Sequence, residues 1–253
     1  SMSNALYALP GARWGQKMGH GQMIDLMISA LTDPFGTGHM GMTAENLADK
    51  YSVSREDQDA LAVTSHQNAA RAQAEGRFDS QIVPVEIKTR KGVTVFDKDE
   101  HVRADISIEK LSGMRPAFKK DGSITAGNAS GINDASSSMV LMAKEAAEAR
   151  GLKPMAKLVA YSHAGVAPEI MGIGPVPAVE KILAATGLTI ADIDVFEVNE
   201  AFAAQALSVC RELKLPMDKV NVNGSGISLG HPIGASANII VVKALHELER
   251  VQG

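Results

Sequence analysis

The rhythm of apolar positions changes past the middle of the chain. From about residue 154, short aliphatic runs alternate with stretches whose apolar positions recur at helical spacing. Lys157-Leu-Val-Ala-Tyr161, Ile193-Asp-Val-Phe-Glu-Val198 and Lys219-Val-Asn-Val222 predict strands. Residues 176–185, closed by Gly187, together with 200–213 and about 234–249, predict helices, and Thr189-Ile-Ala-Asp192 predicts a short turn. This alternation predicts an α/β fold, with helices layered on a sheet. The region up to about residue 130 reads differently. Gly15, Gly19, Gly21, Gly36, Gly38 and Gly41 interrupt it, which predicts irregular segments with inserted helices. Ser54-Arg-Glu-Asp57 has the form of a capping box, opening a helix through Ala62, Ala69 and Ala72 to Gly76. Gln81-Ile-Val-Pro-Val-Glu-Ile87 predicts a strand whose proline favours an edge.

Composition narrows the classes. A chain of 253 residues, 45% hydrophobic and 21% charged, can bury a sizeable core as one large domain or two smaller ones. A net charge of -4 supplies no overall basic field for nucleic acid or anionic lipid, so neither is an expected partner. The single cysteine, Cys210, rules out an intrachain disulfide and fits a reducing compartment, hence an expected cytoplasmic location. No apolar run approaches membrane-spanning length, and no membrane association is expected.

Candidate chemistry gathers where predicted strands meet predicted helices, the place where open α/β sheets collect ligands. Asn223-Gly-Ser-Gly-Ile-Ser-Leu-Gly-His-Pro-Ile-Gly-Ala-Ser-Ala237 frames His231 with four glycines, a backbone suited to tight turns and close ligand approach. Val198-Asn-Glu-Ala-Phe202 places Asn199 at the preceding junction of the same layer, so the two side chains would converge on one pocket. Each has a plainer reading: Asn199 as the cap of its own helix, His231 as a turn histidine packed on the following proline. Thr125-Ala-Gly-Asn-Ala-Ser-Gly-Ile-Asn133 is a third glycine-rich element, able to approach a ligand through its backbone and Ser130. His20, His66, His101, His163 and His246 have neither metal-ligand spacing nor catalytic neighbours; they stay unassigned, and no metal is expected.

Together the motifs resemble the thiolase family, in particular bacterial acetyl-CoA acetyltransferases and 3-ketothiolases. The resemblance rests on Gly38-His-Met-Gly41 followed by Thr43-Ala-Glu-Asn46, then Thr125-Ala-Gly-Asn-Ala-Ser-Gly131 and Met171-Gly-Ile-Gly-Pro-Val-Pro177. Val198-Asn-Glu-Ala-Phe-Ala-Ala-Gln205 and Asn223-Gly-Ser-Gly with His231-Pro-Ile-Gly-Ala235 complete it, in family order. It implies a layered α/β/α fold present as an incomplete C-terminal half plus an inserted loop domain. The loop domain, for coenzyme A binding and tetramerisation, would span 1–132. Residues 133–153 would be the last strand and helix of the N-terminal half-domain, and 154–253 most of the C-terminal half.

The resemblance also implies Claisen chemistry on acetyl-CoA and acyl-CoA or 3-ketoacyl-CoA through an acyl-cysteine, with coenzyme A as substrate and product and no separate cofactor. His231 would generate the thiolate and, with a water held by Asn199, stabilise the enolate oxygen. Ser130 would meet the pantetheine arm beside Ala126 and Phe118. His39 and Met40 would border it, Leu31 would lie at the adenine end and Arg103 near the nucleotide. Met171 and Phe202 would line the acyl pocket. Packing alone would also explain Leu31, Phe118, Met171 and Phe202. Arg103, in a charged stretch, also reads as solvated surface. The family's two catalytic cysteines are expected before Ser1 and after Gly253, and Cys210 matches neither, reading as a buried small hydrophobe. Tyr7 to Met27 matches the family's tetramer-forming region. The rival expectation is a truncated, non-catalytic coenzyme A-binding or oligomerisation module. A ketoacyl or hydroxymethylglutaryl synthase relative fits the paired motifs less well.

Overall fold

The computed structural model describes residues 2–253, and its regular structure is mostly helical. Two short antiparallel pairs come first: β1 (Tyr7–Ala8) with β2 (Ile24–Asp25) and, after α1 (Leu26–Ala30), β3 (Thr32–Asp33) with β4 (Gly38–His39). Helices α2 (Met40–Lys50) and α3 (Arg55–Ala74) precede a hairpin of β5 (Val85–Thr89) and β6 (Gly92–Phe96), in register from Val85 opposite Phe96 to Thr89 opposite Gly92. Short helices α4 (Ile108–Ser112) and α5 (Lys144–Ala149) follow. Then come a 3₁₀ turn over Pro168–Ile173 and helices α6 (Pro175–Thr186), α7 (Ala203–Glu212), α8 (Gly226–Leu229) and α9 (Ile233–Val251).

α3 begins where the capping pattern puts it. The Ser54 hydroxyl accepts from the Asp57 amide at 3.0 Å, and Glu56 and Asp57 sit against the positive end of the helix. Its buried face carries Ala62, Ala69 and Ala72, small enough for close approach of its neighbours, interleaved with buried Gln58, Ser65 and His66. α7 lies at the centre of the packing. Ala204 meets Ala44, Ala48 and Ile124 on one side; Ala203 meets Ala62, Leu111 and Ile227 on another; Val209 joins Leu47 and Ile173. Burying Leu47, Ile124 and Ile227 completely contributes about 2 kcal/mol apiece.

The helix expectations hold to within a few residues, whereas the strand expectations fail. Residues 157–161 form no strand, and Leu158, Val159 and Tyr161 are exposed. The stretches 193–198 and 219–222 meet at one isolated parallel bridge, Phe196 with Val220. There the Phe196 amide donates to Lys219 O and the Asn221 amide to Phe196 O, both at 2.9 Å. The strand expected within 133–153 is also missing; that stretch contributes only α5. Alternating apolar residues mark a face suited to a sheet, but a strand persists only where neighbours take its N–H and C=O groups, and beyond the single Phe196–Val220 bridge no strand flanks these segments among the described residues. The expected strand at 81–87 begins only after Pro84, at Val85, as one arm of the hairpin. α7 starts at Ala203 rather than at residue 200, with Phe202 as N-cap and no side-chain capping bond, so Asn199 is not a cap.

Candidate active site

Two loops bring Asn199 and His231 together. Asn199 ends the extended run after Phe196, just before α7. His231 sits between α8 and α9, its amide donating to Gly131 O at 3.1 Å. The Asn199 Nδ2 atom lies 3.3 Å from Nδ1 and 3.5 Å from Nε2 of the imidazole. Ser236, one turn into α9, donates its hydroxyl to Pro232 O at 3.1 Å and stands 2.7 Å from His231 Nδ1. With that hydroxyl proton committed, Ser236 Oγ accepts from Nδ1–H, which leaves Nε2 unprotonated as the ring's base, with the Asn199 amide as its one donor among the described residues. Burial lowers the His231 pKa, so the ring is neutral at neutral pH.

Both residues line a cavity of about 880 Å³ between α2, α7, the 129–132 segment and the 171–175 turn. Leu31, His39, Met40, Phe118, Ser130, Met171 and Phe202 line it as well. His39 is the N-cap of α2, its Nδ1 accepting from the Gly41 amide at 3.0 Å, and its ring stacks on Phe118 with centroids 4.8 Å apart. Phe118 in turn meets Phe202 edge-to-face at 5.9 Å. Ser130 is held by its amide, which donates to Ala201 O at 3.0 Å, next to the antiparallel bridge of Ala129 with Phe202.

Two expected residues stand apart. Ala126 and Arg103 are exposed and do not line the cavity. Arg103 is tied to the fold through its backbone, whose amide donates to His66 Nδ1 at 3.0 Å. Cys210 faces the other side of α7, buried with Leu215 and Val220, and burial and the nearby Glu200 push its thiol up to about 11.

Sequence reasoning missed the supports. Glu200 is fully buried and accepts from Ser65 Oγ at 2.6 Å, Asn221 Nδ2 at 3.0 Å and the Ile227 amide at 3.4 Å, so one carboxylate joins α3, the 221 turn and α8. Glu45 accepts from the Ser123 and Ile124 amides at 2.9 and 3.0 Å. Asn128 donates to Asp59 Oδ1 at 2.9 Å and accepts from the Thr125 amide at 2.8 Å, holding the Ser130 loop against α3. A polar residue recurring on an otherwise small, apolar helix face, as Gln58, Asp59 and Ser65 do on α3, was the available signal.

Two loops carry an amide and a neutral imidazole to one wall of a large apolar cavity, an arrangement chemically able to take a proton from a thiol or to hydrogen-bond an oxyanion. Comparison with known proteins says whose architecture this is. "Thiolase, N-terminal domain" matches residues 1–145 and "Thiolase, C-terminal domain" matches 152–253. The chain belongs to the thiolase family. It is 57% identical to the beta-ketothiolase BktB of Cupriavidus necator, over 100% of this chain and 64% of that protein. It is 55% identical to a probable acetyl-CoA acyltransferase of Staphylococcus aureus, over 98% of this chain and 64% of that one. The crystal structure of the Bacillus anthracis acetyl-CoA acetyltransferase superposes with a TM-score of 0.95 at 53% identity, covering 100% of this chain and 64% of that one. The fold is therefore the layered thiolase fold, and the chain spans 64% of the length of these relatives.

Proposed function

We propose that this chain is part of an acyl-CoA acyltransferase of thiolase type, interconverting acetyl-CoA plus acyl-CoA with 3-ketoacyl-CoA plus CoA through an acyl-cysteine. The observation that carries the reading is the Asn199–His231 pair on one wall of the cavity that also takes Ser130, His39, Met40, Phe118, Met171 and Phe202. Coenzyme A enters as substrate and product, with its pantetheine along Ser130 and the His39–Phe118 stack. Its nucleotide lies toward Leu31 and the exposed Arg103. Met171 and Phe202 border the acyl group.

In this mechanism the unprotonated Nε2 of His231 takes the proton of the attacking thiol. The thiolate attacks the acyl-CoA carbonyl, the acyl-cysteine forms as the acyl–sulfur bond to CoA breaks, and CoA leaves with the proton from His231. When the second cysteine that the family resemblance implies takes an α-proton from acetyl-CoA, charge collects on the thioester oxygen, and His231 and a water on the Asn199 amide stabilise it. The enolate carbon then attacks the acyl-cysteine carbonyl, the C–C bond forms, and the cysteine sulfur leaves as thiolate. Cys210 is excluded from the nucleophile's part by its burial on the far side of α7 and its raised pKa. The acyl-carrying sulfur therefore comes from outside these 253 residues.

Thiolysis of acetoacetyl-CoA by the intact protein, followed as loss of absorbance, tests the reading. His231→Ala should lower kcat by about 10³-fold or more, and normal turnover in that variant would overturn the assignment. A cytoplasmic homotetramer completes the proposal. The arm from Leu6 to Met23 supports it, since Leu6, Tyr7, Leu9, Trp14, Met18 and Met23 are all exposed, and a sedimentation mass of a single protomer would refute it. No helix among the described residues is long and apolar enough to cross a membrane.

A further inference from the structure

We propose that His101 is a positioning residue that pins the His231 loop and the Ser130 segment to α3, and through them sets the geometry of the Asn199–His231 pair. Its own loop is fixed at two points on α3. Gln73 Nε2 donates to Asp99 O at 2.9 Å, and His66 Nδ1 accepts from the Arg103 amide at 3.0 Å. Between these anchors Asp99 Oδ1 accepts from the His101 amide at 3.0 Å, which aims the side chain across the gap. The ring then touches both glycine-rich elements at once. Nε2 lies 3.2 Å from Ile227 O in α8, and Nδ1 lies 3.3 Å from Asn133 Nδ2.

Those partners define the ring's state. Ile227 O only accepts, so Nε2 carries the proton; Nδ1 is then the acceptor for the Asn133 amide. The fit is close on both sides. A Cβ on Gly131 would overlap the His101 ring, and a Cβ on Gly230 would overlap the Asn133 side chain, so glycine is needed at both places for the clasp to close. Asn133 Oδ1 is buried there with no hydrogen-bond partner among the described residues, a cost borne at constrained positions. The clasp also flanks the hydrogen bond from the His231 amide to Gly131 O, the direct tie between the two elements. His101 itself is absent from the cavity wall, so it acts on chemistry only by holding the residues that line it.

The catalytic consequence rests on the acyltransferase reading, while the clasp itself does not, and the experiment separates the two. In the intact protein, His101→Ala and His101→Gln are compared by steady-state thiolysis of acetoacetyl-CoA and by hydrogen exchange resolved to peptides spanning 226–233, 127–133 and α3. His101→Ala should lower kcat about 10- to 100-fold while KM changes less than about threefold, because a reacting group displaced by a fraction of an ångström loses rate more than binding. The His231 amide should exchange about tenfold faster, with α3 unaffected. His101→Gln, whose Nε2 can still donate to Ile227 O, should recover most of both. If His101→Ala does not fold, Asn133→Ala, which removes the ring's second contact alone, takes its place with the same expectation. A kcat within about twofold of the parent, unchanged exchange at His231, or uniform loosening that includes α3 overturns the proposal. Absence of thiolysis in the parent protein would instead sink the acyltransferase reading and leave the exchange data to decide the clasp.

Discussion

The layer around α7 and the segments at 133–142 and 154–166 both carry aliphatic side chains, yet they end in opposite states. In the first, Ala203, Ala204, Val209 and Ile227 are buried, and the polar groups among them answer one another across elements: Glu200 with Ser65, Asn221 and the Ile227 amide, Asn128 with Asp59. In the second, Val140 is 83% exposed and Val159 69%, and no ladder runs along the backbone. What separates them is the supply of partners. An element whose donors and acceptors are answered locally, or by helices packed on it, holds its shape within this chain. An element that needs a neighbouring strand does not.

The largest break in this contrast should come from Glu200. Burial pushes its carboxyl above the usual carboxylate range, and three donors converge on it. Glu200→Ala leaves the Ile227 amide without its acceptor, strips Ser65 and Asn221 of one of their two acceptors and opens a gap inside the packed layer, which should cost about 4 kcal/mol in urea unfolding of the intact protein. Because the Ile227 amide is among those donors, the cost should come with faster exchange in α8. A loss below about 1 kcal/mol would mean that the polar layer is incidental to the packing.

Helices were legible in the sequence because their signals are local: the Ser54 cap, the alanines of α3, the glycine after α6. The pairing of Asn199 with His231 was legible from their shared place at consecutive junctions and from the family resemblance. Strand formation was not, since whether Leu158 or Phe196 joins a ladder depends on residues elsewhere. Arg103 shows the same limit from another side. The family resemblance points its exposed side chain toward the nucleotide, whereas the bond from its backbone amide to His66 had no signal in the sequence. His101 had no signal at all. Its partner Ile227 lies 126 residues away, and only the folded arrangement of two glycine loops gives the ring a task.

A smaller effect, visible only in acid, tests whether the packed layer tolerates charge. His66 is buried on α3, and burial, followed by the neighbouring His101 and Arg103, lowers its pKa from 6.5 to about 4. The folded protein thus favours the neutral ring that accepts from the Arg103 amide. Above about pH 6.5 neither state binds the proton and this contribution is complete. Between about 6.5 and 4 the unfolded chain takes up a proton that the folded one refuses, so stability falls as pH falls, by about 3 kcal/mol in all. His66→Gln keeps an acceptor and does not titrate. Its denaturation midpoints should be flatter than the parent's across that window, and parallel curves would overturn the assignment.

The smallest effect should come from the other side of the comparison. Val159 has little packing to lose in this chain, so Val159→Thr should leave stability within about 0.5 kcal/mol here. If the acyltransferase reading is right and the intact protein supplies a neighbouring strand, the same substitution should cost about 1 kcal/mol or more there, since it then places a hydroxyl against a sheet face. Measuring both by urea unfolding turns the contrast between the regions into a number. Equal costs in the two contexts would show that this segment stays unpartnered even in the larger molecule, and that the exposed valine belongs to the surface of the protein rather than to an unfinished sheet.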